Sequence, residues 1–112
     1  MTSNVEKFFN ELLPAAMLKN PKYFNEIGGK YTFKITGEGG GEWSVNTSKS
    51  PPSVTQNDLD NSNCTLTMSA ENFQVISHDP NAIMQLFFAG EITVSGDPMG
   101  LPKVSQIFKF GG

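Results

Sequence analysis

The stretch Lys30-Tyr31-Thr32-Phe33-Lys34-Ile35-Thr36 alternates strictly, with Tyr31, Phe33 and Ile35 pointing one way and Thr32, Lys34 and Thr36 the other. A period of two with one apolar side is the signature of a half-buried strand. Gly37-Glu38-Gly39-Gly40-Gly41 follows, and Trp43, Val45 and Thr47 then alternate again, so the pair reads as a hairpin with a glycine-rich turn. A phosphate-binding loop would need a lysine with Ser or Thr, or a third spaced glycine, at a helix start. Here Glu42 and a strand follow instead.

Working outward, Ser48 to Pro52 is a polar turn and Ser53 to Gln56 a short third strand, kept at a sheet edge by Pro51-Pro52. Asn57 to Asn63 is a loop. Cys64, Leu66 and Met68 then alternate with Thr65 and Thr67 as a fourth strand. Ser69 caps a helix carrying Phe73, Val75 and Ile76. Asp79-Pro80 opens the next helix, which runs through Ala89 and stops at Gly90. Ile92 and Val94 mark a fifth strand, and from Met99 onward Leu101, Val104, Ile107 and Phe108 recur at helical spacing.

Upstream of the hairpin, Ser3 caps a helix whose Val5, Phe8, Phe9, Leu12 and Leu13 form one apolar stripe. Pro14 ends or resets it, and two short helices precede Gly28-Gly29. The whole is one domain, 1–112, of the α+β class: a five-stranded, mixed, mostly antiparallel sheet with helices on one face.

The composition restricts function by exclusion. The net charge is −3, and all eight basic residues are lysines scattered along the chain. Nucleic-acid binding needs clustered cations, so it is excluded as a partner class. Cys64 is the one cysteine, which rules out an intramolecular disulfide and a multi-cysteine metal site. The amino end lacks the apolar core of a signal peptide, and no apolar run reaches the roughly 20 residues that span a bilayer. A cytoplasmic setting is expected.

No chemical constellation emerges. His78 is the single histidine, flanked by Ser77 and Asp79. Three sequence neighbours do not converge as a catalytic triad must, so His78 reads as an exposed loop residue. Cys64 points inward with Leu66 and Met68 and reads as a small apolar group. The carboxylates are dispersed. What stands out is the 80–89 helix, where Ile83, Met84, Leu86, Phe87 and Phe88 cover almost the whole circumference. Such a helix is covered on several sides. It is either plain core or has a face on a cavity, a membrane or a partner.

Four pieces of the chain, in order and spacing, resemble the sterol carrier protein type 2 family. They are Gly29 to Gly37 with Glu42-Trp43-Ser44-Val45, Asn63-Cys64-Thr65-Leu66-Thr67-Met68, Ala82 to Asp97, and Met99-Gly100-Leu101 leading into the last helix. The resemblance covers about residues 28 to 110. It implies an apolar tunnel between sheet and helices, and non-enzymatic binding and transfer of a fatty acid, fatty acyl-CoA, sterol or phospholipid without a cofactor. Two departures stand out. The chain ends Phe110-Gly111-Gly112 where many relatives carry a peroxisomal tripeptide, and Pro102 occupies the first turn of the last helix.

The expected lining is Phe33, Trp43 and Met68 from the sheet and Phe73 and Ile76 from the helix after it. The 80–89 helix adds Ile83, Met84, Phe87 and Phe88, and the last helix Met99, Leu101, Val104, Ile107 and Phe108. Gln85 and Gln106 are candidate head-group partners, and the last helix is the expected gate. The expected partner is a single lipid or other apolar small molecule, with transient membrane contact, and the chain is expected to be a monomer. The rival reading is a solid-cored interaction or dimerisation module that uses helix 80–89.

Overall fold

The computed structural model describes residues 4–56, 62–97 and 100–111, with residues 110 and 111 described by backbone alone. Helical segments α1 (Asn4–Lys7), a π turn (Phe8–Leu12), α2 (Leu13–Lys19) and α3 (Pro21–Ile27) lead into β1 (Lys30–Thr36), β2 (Gly41–Asn46), β3 (Ser53–Gln56) and β4 (Cys64–Ser69). Then come α4 (Ala70–His78), α5 (Ala82–Phe88), β5 (Thr93–Gly96) and α6 (Gly100–Gly111). The five-stranded sheet has the order β3-β2-β1-β4-β5. Only β1 against β4 is parallel; the other three pairings are antiparallel.

Register explains why one face is apolar. Phe33 sits between Trp43 and Leu66, Tyr31 between Val45 and Cys64, and Ile35 beside Met68. All eight are buried, and the helices pack over them. The opposite face carries Thr32, Ser44, Thr65 and Thr67. Thr32 and Ser44 are themselves buried, their hydroxyls 3.1 Å apart, and Thr32 is also bonded to Ser62. The hairpin turn needs glycine at position 40: a Cβ there would lie 2.1 Å from the Ile35 carbonyl oxygen.

One helix boundary differs from the sequence reading and another is refined. Pro14 resets the first helix rather than ending it. It has no N–H for the Asn10 carbonyl, and the Leu13 N–H instead reaches back five residues to Phe8, giving the π turn. The extra residue rotates the stripe, so Phe8, Phe9 and Leu13 stay buried while Leu12 is 44% exposed. Asp79-Pro80 makes a turn rather than the first helical turn. The Asp79 carboxylate accepts from the Asn81 N–H at 3.2 Å and α5 starts at Ala82. Ser69 caps α4 as expected, accepting from the Asn72 N–H at 3.1 Å. Pro102 is accommodated within the start of α6. The expected cap Ser3, most of the 57–63 loop and Met99 lie outside the described residues.

Candidate functional site

Ten of the expected lining residues converge in one buried core: Phe33, Trp43, Met68, Phe73, Ile76, Ile83, Leu101, Val104, Ile107 and Phe108. Phe87 is partly buried against it. Met84, Gln85 and Phe88 face outward on α5, Phe88 at 78% exposure, and Gln106 is exposed on α6. The structure therefore does not bring the two glutamines to the core.

Residues from the amino-terminal helix complete the core, and these the sequence reading did not assign to the site. Phe9 stacks on Trp43 at a centroid distance of 4.8 Å and lies 5.2 Å from Phe33. Phe8 stacks on Phe108 at 5.1 Å and meets Phe73 edge-on at 5.3 Å. Phe108 in turn reaches Phe33 at 5.8 Å and Phe73 at 5.4 Å. Rings at these separations are in van der Waals contact. The space between the β1–β2 face, α4 and α6 is thus filled by the chain's own aromatics. The signal was present as the Phe8-Phe9 pair, which reads as an ordinary helix stripe until the sheet beneath it is known.

Polar groups inside are satisfied: among the described residues no buried side-chain nitrogen or oxygen lacks a hydrogen-bond partner. The Trp43 indole N–H donates to Asn10 Oδ1 at 3.0 Å. The Tyr31 hydroxyl donates to the Gly28 carbonyl at 2.6 Å. Burial, with the charges of Cys64 and Asp97 adding to it, pushes the Tyr31 phenol up to about 12. Burial, then Asp97, also raises the Cys64 thiol, which makes it a poor nucleophile. Among the described residues no group of three His, Cys, Asp or Glu side chains could hold a metal ion. Ser77 Oγ lies 3.5 Å from His78 Nδ1, but both groups are also bonded to the Gln74 carbonyl, each at 2.8 Å, and an Nδ1 that donates to that carbonyl cannot take the serine's proton.

The surface carries a cleft of about 390 Å³ between the α1–π segment and α4. Phe8, Leu12 and Phe73 form its apolar part, and Asn4, Lys7, Gln74, Ser77 and His78 its polar part. A second cleft, about 280 Å³, lies between α2 and β3 around Met17, Leu18 and Pro52. No helix among the described residues is long and apolar enough to cross a membrane.

Comparison with known proteins agrees with this architecture. The model of the SCP-2 sterol transfer family matches residues 9–109. No curated protein matches the chain by sequence. Among solved structures, the sterol carrier protein domain 2 of Helicoverpa armigera is 25% identical with a TM-score of 0.71, covering 96% of this chain and 87% of its own. Sterol carrier protein 2 of Aedes aegypti, solved with the C16 fatty acid palmitate, is 16% identical with a TM-score of 0.73 and 96% coverage of both chains. The apo form of sterol carrier protein 2 from Yarrowia lipolytica is 17% identical with a TM-score of 0.71, covering 96% and 85%.

Proposed function

The chain belongs to the SCP-2 sterol transfer family, and from that membership we propose that it binds and carries one lipid molecule in the cytoplasm, as a monomer and without catalysing a reaction on it. The observation that carries this reading is the interior itself. A row of phenylalanines, with one satisfied indole, lies between an apolar sheet face and the helices that cover it. Phenylalanine brings area without polar demands, so the interior can receive a hydrocarbon without leaving a donor or acceptor unpaired.

Close packing of these rings fits a carrier whose site opens for its cargo. A dry cavity of roughly 300 Å³ would cost about 7 kcal/mol at about 24 cal/mol per Å³. That rivals the whole stability of a domain this size, on the order of 5–15 kcal/mol. Without cargo, the helices close down and aromatic rings take the space. With cargo, each methylene buried returns about 0.8 kcal/mol and some rings move aside. We assign the lining to the core residues Phe33, Trp43, Phe73, Ile83 and Phe108. Selectivity among fatty acids, acyl-CoA esters, sterols and phospholipids is then loose, because few polar groups are present to reject a shape. Support from relatives is the palmitate bound by the Aedes aegypti protein.

The test is a thermal melt of delipidated protein with and without palmitate, beside native mass spectrometry of the protein as purified. At a hundredfold excess over the dissociation constant the melt should gain about 2.7 kcal/mol. A second reading, a solid-cored dimerisation module, is favoured by one observation: Phe88 and Met84 stand exposed together on α5. An unmoved melt with every lipid class, together with a dimer mass, would establish that reading instead.

A further inference from the structure

We propose that the cleft between the α1–π segment and α4 is the mouth of the lipid site and takes the head of a long-chain carboxylic acid, with Lys7 and His78 holding the carboxylate and Phe8 standing across the path of the tail. This rests on the lipid-binding reading and narrows it to a cargo class and a point of entry.

Polarity is sorted across this cleft in the way such an amphiphile requires. Its inner wall is Phe8 and Phe73, which are 3% and 1% exposed and belong to the core, whereas Lys7 and His78 are exposed. No Asp or Glu side chain lines it. His78 is held by its Nδ1. The Gln74 carbonyl, 2.8 Å away, can only accept, so Nδ1 carries the proton and donates. Nε2 is therefore the nitrogen left for a ligand, and in the imidazolium form it donates to an anion.

The same ring that closes the cleft also caps the interior. Phe8 stacks on Phe108 and touches Phe73 on the core side. It sits at the start of the π turn, where the helix departs from α-helical hydrogen bonding. Moving this one side chain joins the cleft to the aromatic core. A hydrocarbon entering there keeps its charged end in water beside Lys7 and His78. At about 390 Å³ the cleft is within the usual size of small-molecule sites, roughly 300–1,000 Å³.

The experiment compares palmitate with hexadecan-1-ol, the same chain without the charge, on delipidated wild type, the Lys7→Glu/His78→Glu double variant and Lys22→Glu. Lys22 is exposed on α3 and does not line the cleft. The double variant should lose palmitate affinity by about tenfold or more while its hexadecanol affinity stays within about twofold. Lys22→Glu should leave both unchanged. Each variant is first melted without ligand, and Lys7→Gln/His78→Gln replaces the double variant if reversal of charge harms folding. Palmitate binding that is indifferent to the double variant, or equally sensitive to Lys22→Glu, overturns the head-group site and leaves lipid binding standing. Wild type that binds neither probe nor any other lipid overturns both.

Discussion

The indole N–H of Trp43, on β2, donates to Oδ1 of Asn10, in the π turn of the amino-terminal helix, at 3.0 Å. This bond fixes the turn over β2 and satisfies the one polar atom of the largest buried side chain. Asn10 itself is exposed. Asn10→Ala removes the acceptor, and water can reach part of the vacated position, so a loss of about 1 kcal/mol is expected. The thermal midpoint should fall by about 4 °C, and the tryptophan emission should shift to the red. An unchanged midpoint would mean the indole finds another acceptor.

Phe8 should behave differently with and without cargo. Truncating a buried phenylalanine to alanine costs about 3–5 kcal/mol when the space stays empty. If an acyl chain occupies the position of the displaced ring, Phe8→Ala should lose at least about 1 kcal/mol less in saturating palmitate than in its absence. Paired denaturation curves on wild type and variant give both differences. Equal losses in the two conditions would place the acyl chain away from Phe8.

The Ser69 cap has a narrower role. Its hydroxyl accepts from the Asn72 N–H at 3.1 Å, and α4 carries Phe73 and Ile76 into the core. Ser69→Ala should cost about 1 kcal/mol, and Ser69→Asp should restore most of it. Equilibrium denaturation of the three proteins separates a cap from a mere packing position.

Alkaline pH offers a check on Tyr31 and Cys64. The phenol, ordinarily at 10.0, is held at about 12 in the fold, so the unfolded chain releases its proton first as pH rises. The stabilisation is complete below pH 10 and is lost on the way to about 12. The raised Cys64 thiol acts in the same direction from its ordinary 9.0 upward. Midpoints of wild type should therefore decline from pH 9 to pH 12. Tyr31→Phe should flatten the part above pH 10, although it also removes the 2.6 Å bond to Gly28.

Much of this architecture is legible in the chain. Alternation at Tyr31-Phe33-Ile35 and Cys64-Leu66-Met68 gives both the strands and their buried face, because a pleated strand has only two sides. The helical spacing of Leu101, Val104, Ile107 and Phe108 likewise marks the face of α6 that is buried. What alternation and spacing do not carry is volume. They say which side chains point inward, and not whether the layers stand far enough apart to leave room between them. Hence Phe8 and Phe9 read as an ordinary stripe, although they are the residues that fill the space over Trp43 and Phe108. The π turn escaped for a similar reason: Pro14 announces a missing N–H donor, and whether the chain ends the helix there or widens it by one residue depends on the packing of Phe8, Phe9 and Leu13 beneath it.

The sheet's second, threonine-rich face bears on how such a molecule changes size. With Thr32 and Ser44 bonded across the strands and no second apolar side, the floor has nowhere to retreat. Any enlargement is one-sided, taken up by helices lifting from a fixed base. Amide-exchange protection along β1, β2 and β4 should then stay constant from one guest to another, whereas α4 and α6 register each guest's bulk like the lid of an overfilled box.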